Sequence, residues 1–250
     1  MTMKPTLWQR PGGFTFIEML VVVAVLAVLA FIILTAMPGR TYINYHRTNC
    51  LNNLKEIGTA YRLWAGDHGD LVPYQRSVSD GGWKELLTNA DQGAICWRNY
   101  ATMSNELGMA PKLVVCRSDE RQAAAGFATN FDNNYVSYFV GMNATSPHSI
   151  QGGDRNLGPG ALPDANYGYS PADGTGNDVA IPISGPVSWS LKMHSMGKIA
   201  GAGNILLGDG SAQQVSTASF NKDWLRNAPP TTNWPASHVP AIPSIRLIFP

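Results

Sequence analysis

Between Arg10 and Arg40 the chain reads RPGGFTFIEMLVVVAVLAVLAFIILTAMPGR, an apolar run interrupted by a single charge, Glu18. No other feature constrains the fold as strongly. From Phe14 to Met37 the run is about 24 residues; at about 1.5 Å per residue a helix of that length reaches about 36 Å, enough to cross a bilayer with some tilt. A core helix of a water-soluble domain is rarely this uniformly apolar. The carboxylate needs a reason, because an acidic side chain at mid-bilayer costs roughly 2.5–3.5 kcal/mol on insertion scales.

Two ordinary explanations of the segment fall short. A secretory signal has an apolar stretch of about 7–15 residues followed by small residues at a cleavage site; here the stretch is longer, and Gly12 and Gly13 precede it. A plain signal anchor, with Lys4 and Arg10 keeping the N-terminus in the cytoplasm, accounts for orientation and leaves Glu18 unexplained.

The segment GGFTFIEMLVVVAVLAVLA resembles the class III leader of type IV prepilins and type II secretion pseudopilins. The resemblance implies a leader over residues 1–13, cleavage by a prepilin peptidase between Gly13 and Phe14, methylation of Phe14, and a transmembrane helix over 14–37. Cleavage frees an α-ammonium with a pKa near about 8, mostly charged at neutral pH in water. In a filament of parallel helices, Glu18 of one subunit then pairs with Phe14 of its neighbour, and two charges that are costly apart are neutralised together. Read this way, Glu18 sets the register of assembly. The other reading is an unprocessed anchor whose Glu18 snorkels or is protonated.

After Pro38 and Gly39 the chain turns polar. Cys50, Leu54, Ile57, Tyr61 and Trp64 recur at spacings of four and three, which predicts one apolar helix face over 38–66, with a stop in GDHGD. The expected result is a long helical spine, bent at Pro38-Gly39, whose second half offers a stripe for a globular domain.

Of the 250 residues, those beyond the membrane helix make one soluble domain of ordinary size. A net charge of +1 without any basic run excludes the electrostatic footprint of a nucleic-acid binder. With 25 Gly and 17 Pro against 14% charged residues, the composition favours a loop-rich extracytoplasmic β domain over a helical cytosolic enzyme. Cys50, Cys96 and Cys116 have no CxxC spacing, so neither zinc nor thioredoxin-like chemistry is indicated. Outside the cytoplasm, three cysteines make one disulfide and one spare thiol.

Over 67–227 the apolar runs are short: LVVC to Cys116, YVSYFVGM from Tyr135, VAIPI from Val179 and NILLGD from Asn204, separated by Gly, Pro, Asn and Asp clusters. This predicts antiparallel strands joined by turns, with short helices in GGWKELLTNA and STASFNKDWLRN. The proline-rich tail, 228–250, is expected to be irregular.

The blocks CLNNLKEIGTAYRLWAGDHGDLVP, LVVCRSDE, GDRNLGPG and GNILLGDGSAQQVS resemble a group of pilin-like proteins from planctomycete and verrucomicrobial bacteria. That group is described by a His, nine residues, then Asp-Gly. Here about 14 residues separate His194 from Asp209-Gly210, so the role of that pair does not carry over directly, and Asp209-Gly210 also reads as a plain turn. The blocks around Cys50 and Cys116 imply that these two form the disulfide. The residues alone leave open Cys96 with Cys116, or three free thiols with Cys50 in the core.

His194, Asp209 and Ser211 are the residue types of a hydrolase triad, but no G-x-S-x-G elbow accompanies them, and the chain is not expected to be an enzyme. The stretch from Gly153 to Asp178 is rich in Asp, Asn and Gly, the oxygen donors and turn formers of calcium loops. Asp173 and Asp178 are its candidate calcium ligands, against a solvated surface loop without metal; otherwise no cofactor is expected. Of the tryptophans, most are expected in the core and Trp234, in the tail, exposed.

Together these readings predict an α+β, pilin-like chain: a transmembrane then amphipathic helical spine packed on an antiparallel β-sheet domain. Its expected partners are a prepilin peptidase, copies of itself or sister pseudopilins, and the inner membrane, not nucleic acid. The soluble domain is expected outside the cytoplasm, in a type IV pilus or a type II secretion pseudopilus. A surface-displayed binding module on the same anchor is the alternative.

Overall fold

The computed structural model describes residues 13–35, 40–88, 95–128, 130–142, 146–171, 181–183, 185–195, 200–225 and 245–250. The expected bend at Pro38-Gly39, the calcium candidates Asp173 and Asp178, Trp234 and most of the proline-rich tail lie outside them. The chain divides into two units, Met1–Tyr42 and Ile43–Pro250.

In the first unit, helix α1 spans Phe16–Thr35. Its stretch Phe16–Ile33 is long and apolar enough to cross a membrane, and none of it is buried. Phe16, Leu20, Leu26 and Phe31 all stand at least half exposed. So much uncovered apolar surface is what a membrane-anchoring helix presents.

Helix α2 (Arg40–Asp67), which belongs to the second unit from Ile43 on, buries the stripe that its spacing predicted: Cys50, Leu54, Ile57, Tyr61 and Trp64. The helix stops where Gly69 and Asp70 enter the left-handed region, at φ 68° and 59°. The amides of His68 and Asp70 both return to the Ala65 carbonyl, at 3.0 and 2.9 Å, satisfying the acceptor end of the last turn.

The sheet has six antiparallel strands: β1 (Tyr138–Gly141), β2 (Ile150–Asp154), β4 (Ile181–Ile183), β6 (Ala202–Leu207), β7 (Ala212–Ser216) and β8 (Ile245–Ile248), ordered β4-β8-β1-β2-β6-β7. A two-stranded ribbon pairs β3 (Leu157–Pro159) with β5 (Val187–Trp189). Both faces of the sheet are covered. Tyr138, Val140, Leu206 and Ile248 join the stripe of α2 in one core, while Phe139, Ile205, Leu207 and Leu247 join Leu157, Trp189 and Phe220 in a second. The period of two along each strand sends successive side chains to opposite cores.

This is the α+β class expected from the sequence: an apolar N-terminal helix followed by a globular antiparallel-sheet domain. Three segments differ from expectation. LVVC is not a strand; Pro111 opens a 3-10 turn over Pro111–Val114, where its missing N–H is no loss. Residues 96–102, to which the sequence reading assigned no element, form helix α3 (Cys96–Thr102). The end of the tail, expected to be irregular, pairs as β8 between β4 and β1, because IRLI lies clear of the flanking prolines and its apolar residues reach both cores.

Gly58, in the middle of α2, has a packing reason. A Cβ there would come within 2.7 Å of the Gly210 carbonyl oxygen and of Leu206 Cδ1. Gly210 itself adopts φ 82° in the β6–β7 turn, and Arg62 Nη1 donates to the Asp209 carbonyl at 3.2 Å. The Asp-Gly turn is thus where the hairpin docks on the helix. Gly58→Ala is expected to destabilise the domain by about 1–3 kcal/mol through overpacking, although alanine is the better helix former by about 1 kcal/mol. Urea unfolding of the full chain in detergent measures this; an unchanged or raised midpoint contradicts the docking contact.

Candidate functional site

Two groups of residues stand out, one at the start of α1 and one inside the globular unit. At the first, Thr15 and Glu18 form a reciprocal pair. The Thr15 backbone N–H and hydroxyl donate to Glu18 Oε2 at 2.7 and 2.8 Å, and the Glu18 N–H approaches Thr15 Oγ1 at 3.4 Å. This is a capping box, T-x-x-E, in which Glu18 closes the first turn of its own helix. The negative charge also sits at the positive end of the helix dipole. The local role was visible in the sequence as threonine followed three residues later by glutamate. It answers in part why a carboxylate stands in an apolar run. Phe14, one residue before the cap, is exposed.

Comparison with known families places this region. Residues 8–34 match the family model described as the prokaryotic N-terminal methylation motif. The chain carries a prepilin-like leader. The match takes in Gly13, Phe14, the capping box and most of α1, and a motif of this kind is the substrate signal of a prepilin peptidase. Of the curated proteins and solved structures, none matches the chain. A leader followed by an apolar helix fits a membrane-anchored protein.

The second group is buried. Cys50 of α2 and Cys116, just after the 111–114 turn, are joined by a disulfide with Cα atoms 5.2 Å apart. Asn53, one turn along α2, donates to the Val115 carbonyl at 3.2 Å and holds the same junction. Cys96 is the free buried cysteine among the described residues; burial pushes its thiol above the ordinary range.

His194 reaches the disulfide from the loop after β5. Asn156 fixes that loop by donating to the Lys192 carbonyl at 3.0 Å and to Ala202 of β6 at 3.1 Å. The His194 Nε2 atom lies 3.4 Å from Cys116 Sγ and 3.4 Å from Asp154 Oδ2. Asp154 ends β2, and its Oδ2 accepts from the backbone and side-chain N–H of Asn204 at 2.7 and 2.9 Å.

Burial pushes the Asp154 carboxyl up to about 7 against those two hydrogen bonds and the Arg47 charge. Burial, helped by Arg47 and His46, pushes His194 down to about 3. His194 is therefore neutral at physiological pH, and its contact with Asp154 is not an ion pair.

This arrangement is not a relay for nucleophilic catalysis. A triad uses one imidazole nitrogen for the nucleophile and the other for the acid. Here sulfur and carboxylate both face Nε2, while Nδ1 has no hydrogen-bond partner among the described residues. Asp209 and Ser211 are not brought to His194: they form the β6–β7 turn, where Asp209 Oδ1 accepts from the Ser211 N–H at 2.8 Å.

The stretch from Gly153, read as a solvated surface loop with a calcium loop as the other possibility, starts instead in the core. Asp154 and Arg155 are buried, and Arg155 binds Asp119 through two hydrogen bonds of 2.7 and 2.8 Å with its guanidinium 3.4 Å from the Tyr167 ring centre. Burial alone would raise the Asp119 carboxyl, but the bonds and charge of Arg155 bring it below its ordinary value. A lowered carboxylate favours the folded state above the unfolded pKa of about 3.9, and that gain is lost as pH falls through the lowered folded value. Acid unfolding is therefore expected to shift to higher pH in Arg155→Met, followed by circular dichroism of the full chain in detergent; an unshifted acid midpoint contradicts the assignment.

Proposed function

We propose that the chain is a structural pilin or pseudopilin subunit, cut after Gly13, N-methylated at Phe14 and assembled through α1 into a type IV pilus or type II secretion pseudopilus. The observation that carries this reading is the methylation motif over residues 8–34 laid on an apolar helix with no buried residue between Phe16 and Ile33. In the inner membrane the helix faces lipid; in a filament it faces sister helices.

Glu18 serves twice on this reading. Before assembly Oε2 caps its own helix. In the filament its charge also neutralises the Phe14 ammonium of a neighbour and fixes the step between subunits. The globular unit then forms the outer layer outside the cytoplasm, where Cys50–Cys116 stays oxidised. The work is mechanical rather than catalytic.

The test is intact-mass and N-terminal analysis of the protein from native membranes, with and without an active prepilin peptidase. A chain beginning at methylated Phe14 only when the peptidase is active is the expected result. A chain that keeps residues 1–13 in both strains overturns the proposal and leaves a signal-anchored surface domain.

A further inference from the structure

We propose that Asp154 and His194 act as a proton-transfer pair: folding moves one proton from the imidazole to the carboxylate, so that both enter the interior uncharged and the seam between α2 and the sheet holds through mild acid. One N–H bond of an imidazolium is exchanged for one O–H bond, with no net gain or loss of protons.

The geometry fixes the charge of the pair. Nε2 stands 3.4 Å from Oδ2 with both side chains shut off from solvent, where a net charge is costly. Two added protons would make the pair a cation facing Arg47 and His46 of α2; none would make it an anion facing Asp119. Arg47 favours the anion, but its Nη2 donates to the Gly203 carbonyl at 2.9 Å. Tyr138 of β1, which also faces the carboxylate, is kept protonated by burial, and the nearby sulfurs are bonded to each other and uncharged. A single proton leaves the pair neutral.

Hydrogen bonding says where that proton rests. Nε2 faces a carboxylate oxygen and a disulfide sulfur, both lone-pair bearers, so it carries the ring hydrogen of the neutral imidazole. Oδ2 accepts the backbone and side-chain N–H of Asn204, whereas Oδ1 has no partner among the described residues. A proton on Oδ1 disturbs none of these contacts and removes the carboxylate charge. Placed on Nδ1 instead, it would bury an imidazolium with no acceptor there. Burial accordingly moves the two groups in opposite directions, the carboxyl up to about 7 and the imidazole down to about 3.

The pair sits where α2 meets the sheet. The Asn204 side-chain amide donates both to Oδ2 at 2.9 Å and to the Arg47 carbonyl at 3.4 Å. Met193, at φ 62°, holds a left-handed conformation costly for a residue other than glycine and precedes His194 where the loop turns it inward. In the unfolded chain, between about pH 4 and 6.5, the imidazole is protonated and the carboxylate is not. The folded pair holds the same number of protons, so its two pH dependences cancel. A lone buried histidine would lose stability as pH fell through this range, and a lone buried carboxyl as pH rose.

The experiment is urea unfolding of the oxidised full chain in detergent between about pH 4.5 and 6.5, compared with Asp154→Asn, His194→Gln and the double variant. Asp154→Asn leaves the histidine alone and should lose, relative to the native chain, about tenfold in folding equilibrium constant per pH unit of acidification. His194→Gln leaves the carboxyl alone and should lose about tenfold per unit of rising pH. The double variant should run parallel to the native chain. Either single variant running parallel to it, or a double variant that does not, overturns the proposal. Should a variant fail to fold, the ring nitrogen-15 resonances of the five histidines in the native chain decide. One ring still neutral at about pH 4.5 is the expected result, and five imidazolium rings at that pH overturn the proposal.

Discussion

Glu18→Ala is expected to leave membrane insertion and removal of residues 1–13 intact while lowering incorporation into filaments by about a hundredfold. The magnitude follows from leaving one ammonium unpaired among apolar helices, a penalty of roughly 2.5–3.5 kcal/mol. The capping box makes a second substitution informative. Alanine removes both the acceptor that Thr15 uses and the charge, whereas Glu18→Gln keeps an acceptor at the same reach and removes the charge alone. If both variants fail to assemble, the charge is what the filament needs. If Gln assembles and Ala does not, Glu18 acts by closing the first turn, worth about 0.5–2 kcal/mol. Normal assembly of both contradicts any role in register. Quantifying subunits in sheared filaments against total membrane protein reads all three outcomes.

The second large effect is expected on stability. Cys50 and Cys116 close a loop with a sequence separation of 66, and removing such a closure raises the entropy of the unfolded chain by about 4 kcal/mol in the chain-entropy model. The double substitution Cys50→Ser, Cys116→Ser should lower the urea midpoint by about 1.3–2 M, taking a slope of about 2–3 kcal/mol per molar. Phosphine reduction should give nearly the same shift. A midpoint within about 0.3 M of the native value would mean that the hydrogen bond from Asn53 to Val115 and the surrounding core hold α2 without the covalent link.

How much of this was legible beforehand depended on how local the determinants were. The stripe from Cys50 to Trp64 was readable because five residues repeat one helical spacing, and β1, β4 and β6 because each contains a short apolar run between turn formers. Strand β2 was hidden: Gly152 and Gly153 look like a turn. A Cβ on Gly153 would lie 2.6 Å from the Phe139 ring, so glycine there answers to a neighbouring strand, which no window of sequence shows. Strand β8 was masked by its prolines. The cluster of His194, Asp154, Cys50 and Cys116 was out of reach for a related reason, since four distant segments supply one side chain each. The capping box, by contrast, was in plain view and was overshadowed by the longer-range role for Glu18.

The place of β8 in the sheet has a temporal consequence. Its residues, Ile245–Ile248, lie between β4 and β1, so one edge of β1 stays unpaired until Val140 meets Ile248, far along the chain. Helix α1 precedes these strands and can engage a membrane while β1 still lacks that neighbour. Pairing β1 with so distant a strand makes completion of the sheet a late step in folding, because a long loop must close before the contact rewards it.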